Sequence, residues 1–191
     1  MQHNTIEKHT DDVSRWMNEI ANFNSRVAFE SLYYHYFDRL LRFVSLYVPI
    51  LVEAEEIVLD TFTDIWSGRK KLLPVKNPDA YIYSITRNKA ISFLRSQHKN
   101  MVPLNETMID LFIHVDTTPE SDLISKENIR QLNGAINSLP YKCKMAFKMV
   151  REDKMKYKDV AIVLNISVKT VEAHIATATK KLREILSSGQ K

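Results

Sequence analysis

A single cysteine (Cys143), three glycines and six prolines are all that 191 residues supply for bridges, tight turns and kinks. One thiol excludes an internal disulfide framework and any metal site built on several cysteines. So few glycines argue against an all-β fold, whose hairpins call repeatedly for left-handed turn residues. No apolar run approaches the ~18 residues of a membrane span, and the opening MQHNTIEKHT lacks the basic-then-apolar pattern of a secretory signal. A cytoplasmic chain without membrane insertion is expected. Also missing are a Gly-rich phosphate loop, a nucleophile–base pair and a ligand cluster among the six scattered histidines. The expectation is therefore a non-enzyme that holds neither metal nor cofactor.

What is abundant is Leu, Ile, Ala, Lys and Glu at helical spacing, and 45% of the residues are hydrophobic. An all-α fold with real cores follows. The net charge of +4 is small, but it is unevenly spread. Residues 1–104 are nearly neutral, with 13 Lys/Arg against 12 Asp/Glu. Residues 105–128 set one lysine, Lys126, against six acids, and residues 129–191 set 13 cations against five acids. A basic terminal module behind an acidic connector points to a polyanion as the module's partner.

Helical periodicity and its breakers predict helices near 11–22, 26–48, 53–67 and 80–96, with Pro49 ending the second and a loop over 67–79. These make a first domain over 11–96. Residues 97–128 read as a flexible acidic linker with one helical turn near 107–113. A second domain over 129–186 follows, with helices near 120–137, 140–151, 157–164 and 168–186.

The clearest motif is KYKDVAIVLNISVKTVEAHIATATKKLREIL, residues 156–186. A short helix ending at Leu164 meets Asn165-Ile166-Ser167 and then a long helix. Asn165 suits the left-handed residue that closes a helix, and Ser167 suits the cap that opens the next. Small Ala161 lets the two helices approach. This is a helix-turn-helix pattern. At 100° per residue, Val168, Val171, Ile175, Ala178 and Leu182 share one face, the expected core. Lys169, Thr170, Ala173, His174, Thr177, Lys180 and Lys181 share the other. Cations for phosphates, with short polar and methyl-bearing groups for base edges, are what a major-groove helix needs. No arginine stands on this front, so specificity leans on Lys169, His174 and thymine-methyl contacts.

EAEEIVLDTFTDIWS, residues 53–67, also has two faces. Glu53, Glu56, Asp60 and Asp64 fall within about 80° of one another, opposite Ala54, Val58, Phe62, Ile65 and Trp66. An acidic stripe repels phosphate and suits a basic protein partner. In YIYSITRNKAISFLRS, residues 81–96, an outer strip carries Tyr81, Ser84, Asn88, Ser92 and Arg95, flanked by Arg87 and Lys89. Ile82, Ala90, Phe93 and Leu94 point inward. Amide, hydroxyl, aromatic and cationic groups together suit unstacked bases and their phosphates. The aromatics of 29–47 read as core.

These strings, in this order, resemble the sigma-70 family of RNA polymerase sigma factors. EAEEIVLDTFTDIWS is similar to the region 2.2 motif, YIYSITRNKAISFLRS to the region 2.3/2.4 helix, and the terminal segment to region 4. The spacing and acidic connector resemble the extracytoplasmic-function group, which keeps only regions 2 and 4. ISVKTVEAHI and the LPYKC segment at 139–143 are similar to the subgroup linked to nutrient uptake. The resemblance implies an alternative sigma factor that directs promoter-specific initiation. It implies core-polymerase docking by Glu53, Glu56, Leu59, Asp60 and Asp64, with Trp66 as anchor, on the β′ clamp helices, and a further contact with the β flap. It implies reading of the −10 element by helix 80–96, Asn88 meeting a base and Lys89 the backbone, and of the −35 element by helix 168–186. An anti-sigma partner is implied as well. Leu59 stands where the family usually has Gln, and Ser84 where Arg is frequent. The alternative is a helix-turn-helix regulator of the response-regulator type, whose DNA-binding domain has a similar ISVKTVEAHI string. Such proteins carry a sheet-containing receiver domain, and residues 1–100 show no alternating strands.

Overall fold

The computed structural model describes residues 3–97 and 133–188, which fall into two compact units, one on each side of the intervening segment. Every regular element among the described residues is helical. The expected linker, its helical turn near 107–113 and most of the helix expected at 120–137 lie outside the described residues.

The first unit contains α1 (His3–Phe23), α2 (Arg26–Val44), α3 (Leu51–Ser67), a 3-10 turn (Arg69–Leu72) and α4 (Pro78–Gln97). Helix α1 begins well before the expected residue 11, and buries Val13, Met17, Ile20 and Ala21 on one stripe. Asn24 ends it at φ 52°, with N–H bonds from Asn24 to the Ile20 carbonyl (3.2 Å) and from Ser25 to the Glu19 carbonyl (3.4 Å). This pairing satisfies carbonyls that a helix end would otherwise orphan. Ser25 turns the chain at once, its Oγ accepting the Ala28 N–H at 3.2 Å.

Helix α2 sends Ala28, Leu32, Tyr36, Leu40, Phe43 and Val44 inward. It stops at Val44, four residues short of the expected end. Tyr47 and Val48 both donate to the Val44 carbonyl in a tight turn that buries them. Val48 precedes Pro49, and a pre-proline residue disfavours helical backbone. Helix α3 buries Ala54, Ile57, Val58, Thr61, Phe62 and Ile65 between α2 and α4. Of the aromatics of 29–47, Tyr36, Phe43 and Tyr47 are buried in the core, as expected, and Phe29, Tyr33 and Phe37 are half-buried at its margin. The Phe29 ring lies 5.0 Å from that of Trp66, Tyr33 lies 4.8 Å from Phe62, and Phe43 lies 5.1 Å from Tyr83. Tyr34 is the exception, 71% exposed.

Asn77 caps α4 by accepting the Ala80 N–H at 3.2 Å, and Pro78 occupies the first turn, where its missing donor costs nothing. Inward-facing residues are Ala80, Ile82, Tyr83, Thr86, Ala90 and Ile91. Phe93 and Leu94, expected inside, are only half-buried, because the helix runs past its neighbours near its end. One polar contact crosses this core. The Tyr36 hydroxyl donates to Asp79 Oδ1 at 2.7 Å, and Arg39 lies 3.8 Å from the same oxygen and over the Tyr36 ring.

The second unit has a helical segment at 133–137 followed by α5 (Tyr141–Arg151), α6 (Tyr157–Leu164) and α7 (Val168–Ser188). Ala135, Ile136, Leu139, Cys143, Ala178 and Leu182 form one cluster, joined by half-buried Phe147. Met149, Val160, Val163 and Val171 are also buried. Asn165 adopts φ 55°, ψ 47°, and the Ile166 N–H reaches the Ala161 carbonyl at 3.0 Å. Ser167 Oγ accepts the Thr170 N–H at 3.0 Å. The expected turn chemistry is present, and α6 and α7 meet at 104°, within the range of a helix-turn-helix. Val168 departs from its expected core position. It is 42% exposed, since the first residue of α7 projects beyond the facing helices. Among the described residues no single helix is long and apolar enough to cross a membrane.

Tyr36→Phe removes a bond to a charged acceptor and should cost about 1.5–3 kcal/mol in urea denaturation. Burial chiefly, then the Asp79 charge and hydrogen bond, holds the Tyr36 hydroxyl's pKa well above its ordinary value, against a smaller opposing pull from Arg39. An unfolded tyrosine ionises near pH 10, so the stabilisation is complete below that pH and is lost as pH rises further. The wild type should therefore lose more alkaline stability than Tyr36→Phe. In the second unit, Ser167→Ala should cost about 0.5–2 kcal/mol. Asn165→Val should cost about 1–2 kcal/mol through its left-handed backbone, and Asn165→Gly should be tolerated.

Candidate functional surfaces

The rotation that buries the apolar face of α3 turns its carboxylates outward. Glu56, Leu59, Asp60 and Asp64 are exposed and Glu53 is half-buried, so the whole predicted docking set lies on one side of the helix. Leu59, at 44% exposure, places an apolar contact among the acids. Ile50, Leu51 and Val52 extend the apolar surface at the start of α3, where no side chain caps the helix. Trp66 is half-buried, anchored by Phe29 and covered by Arg69, whose guanidinium carbon lies 5.3 Å from the ring centre.

On α4, Asn88, Ser92 and Arg95 are exposed, while Tyr81, Ser84, Arg87 and Lys89 are half-buried. Burial raises the Tyr81 pKa above its ordinary value. Lys89, expected on DNA backbone, has ion-pair partners within the protein. Its Nζ lies 2.8 Å from Asp64 Oδ2 and 3.9 Å from Asp60 Oδ2, so it touches the acidic stripe of α3. No periodicity within either helix reveals this, because the partners are about 25 positions apart in the chain. Sequence reasoning also passed over a basic turn. Lys70, Lys71 and Lys76 are exposed in the segment leading into α4, which the loop assignment treated as a connection only. The run GRKKLLPVK was its signal.

On α7, Lys169, Ala173, Thr177, Lys180 and Lys181 are exposed. Thr170 and His174 are half-buried, and both have partners within the protein. Thr170 Oγ1 lies 2.8 Å from Ser167 Oγ, strengthening the cap. His174 Nδ1 lies 3.3 Å from Cys143 Sγ, so the imidazole leans toward α5 at the margin of the exposed face. Cys143 is buried, and burial raises its pKa against a smaller opposing effect of Lys181, so the thiol stays protonated. The front of the helix is thus a row of Lys169, Ala173, Thr177 and Lys180, about one turn apart. Lys180 also lies 4.0 Å from Glu184.

Two family models match the chain. Residues 32–100 match the family model for sigma-70 region 2, and residues 129–182 match that for sigma-70, region 4. The chain is 26% identical over 175 residues to the ECF RNA polymerase sigma factor RpoE of Cereibacter sphaeroides, covering 90% of this chain and 93% of that protein. It is 22% identical to the ferric citrate uptake sigma factor FecI of Escherichia coli (86% and 94% covered). It is 25% identical to RNA polymerase sigma factor SigZ of Bacillus subtilis (73% and 78% covered). In fold it is similar to CnrH, solved in complex with the cytosolic domain of CnrY, with a TM-score of 0.60, 19% identity and coverage of 93% and 99%. It is also similar to the sigma factor RpoE of Bartonella quintana, solved with the anti-sigma factor NepR, with a TM-score of 0.59, 20% identity and coverage of 83% and 96%. With both regions present in order, and relatives matched over most of their length, the chain belongs to the sigma-70 family, in its extracytoplasmic-function group, and is an alternative sigma factor directing transcription.

Proposed function

We propose that residues 11–96 grip core polymerase and the opened −10 strand, that residues 129–186 grip the −35 duplex, and that 97–128 tether the two. The exposed carboxylate stripe of α3, backed by a buried face that is apolar but for Thr61, is the observation that carries the docking assignment. Glu53, Glu56, Asp60 and Asp64 would meet basic groups of the β′ clamp helices, and Leu59 would add an apolar contact where the family usually has Gln. On α4, Tyr81, Ser84, Arg87, Asn88, Ser92 and Arg95 are the candidate strand contacts. On α7, Lys169 and Lys180 would bind phosphates, and Ala173 and Thr177 would meet base edges. Thr170, His174 and Lys181 flank that row.

Magnitudes explain why the chain works as a subunit. Opening about five base steps costs on the order of 7 kcal/mol. Holding two flipped bases returns roughly 2–6 kcal/mol. The free chain therefore falls short of melting a promoter, and core polymerase supplies the remaining single-strand contacts. An inhibitor of the anti-sigma kind, as in the Bartonella complex, would act by covering the docking stripe. ISVKTVEAHI and LPYKC, together with FecI among the relatives, support placement in the nutrient-uptake subgroup. The workplace of such a chain is the cytoplasm, with polymerase and DNA, and its role is regulatory rather than catalytic.

Transcription reconstituted from core polymerase and this chain should yield promoter-specific starts, and starts unchanged by its addition would overturn the proposal. Asp60→Arg should abolish co-elution with core while leaving helical circular dichroism intact. Glu56→Arg, outside the Lys89 ion pairs, should weaken it in the same assay. Lys169→Ala should weaken duplex binding uniformly across sequences and reduce the log–log salt slope by about 0.9.

A further inference from the structure

The first unit has two binding faces, and one side chain belongs to both. Lys89 stands on α4 beside exposed Asn88, yet its ammonium lies 2.8 Å from Asp64 and 3.9 Å from Asp60 on α3. The exposures are unequal: the Asp60 and Asp64 side chains are 67% and 59% exposed, that of Lys89 only 24%. A partner arriving from solvent therefore meets the carboxylates first, on the side that Lys89 leaves open. An arginine fork binds a carboxylate through two parallel hydrogen bonds, which a single ammonium cannot match. Ion pairs between partly exposed groups are weak enough to exchange without unfolding either helix.

We propose that Lys89 is a shared clasp: the carboxylates of Asp64 and Asp60 withhold it from DNA in the free chain, and a basic partner seated on them releases it to a promoter phosphate. This rests on the docking reading above. Once the carboxylates are engaged elsewhere, the ammonium loses its counter-charge, and its four-carbon stem lets it swing toward the Asn88 and Ser92 side of α4. By linkage the effect runs both ways, so DNA that draws Lys89 away leaves the stripe more available to core. Docking on polymerase would thereby raise the affinity of the neighbouring helix for DNA, with one lysine as the connection.

The test compares full-length wild type, Lys89→Met and Asp64→Asn. Each is titrated with fluorescein-labelled single-stranded DNA of about 20 nucleotides, long enough to fill such a site. Titrations run at several salt concentrations, for the free chain and for its complex with core polymerase. One phosphate contact on a single strand is worth about 0.7 in the log–log salt slope. Lys89→Met should leave the free-chain slope unchanged and lower the slope of the complex by about 0.7. Asp64→Asn should tighten DNA binding by the free chain and steepen its slope. Equal slopes for wild type and Lys89→Met in the complex, or an equal drop in both settings, would overturn the clasp. If Lys89→Met loses its helical circular dichroism, Asp64→Asn decides, and an unchanged free-chain slope overturns the proposal. Failure of the wild type to co-elute with core, measured before DNA is added, would instead sink the docking reading, and the free-chain comparison of Asp64→Asn would still judge the ion pair.

Discussion

Burial of the apolar face of α3 is the constraint on which the first unit depends. Ala54, Ile57, Val58, Phe62 and Ile65 must face α2 and α4 to be shielded from water. A helix turns 100° per residue, so that requirement leaves Glu56, Asp60 and Asp64 no direction but outward. The acidic stripe is thus a consequence of the core. The same packing brings α4 alongside, so an acidic face and one that carries amide, hydroxyl and cationic groups share one small body. Lys89 stands on their border and balances part of the difference.

The second unit answers a different problem with fewer residues. Ahead of the long α7 its helices are short, and an eight-residue helix such as α6 has little stability of its own. The junction with α7 is therefore tied locally, by the left-handed Asn165 that closes α6 and by Ser167 that caps the start of α7. The buried seam of Val171, Ile175, Ala178 and Leu182 then orients α7. The 104° angle between α6 and α7 leaves the lysine row facing solvent.

Most of this was legible in the chain itself. The all-α class, the faces of α3 and α7, and the turn between α6 and α7 all follow from contacts between residues no more than a few positions apart. Periodicity and capping report such contacts directly. The readings that changed were those set by neighbours. Helix α2 stopped before Pro49 because Tyr47 and Val48 had burial to gain in a turn. Phe93 and Leu94 lost their expected cover because α4 outruns the elements beside it. Val168 fell at the edge of its seam for the same reason.

The sequence by itself determined which residues could serve as a docking stripe, a strand-binding helix and a duplex-reading helix, since each is a property of a single helix and its period. Only the tertiary structure decided which charges neutralise one another. Lys89 lies about 25 positions from Asp64, and His174 about 30 from Cys143, so no local pattern encodes either contact. Both exist because packed helices bring distant turns within a few ångströms, and the meeting of those turns depends on how the whole core closes.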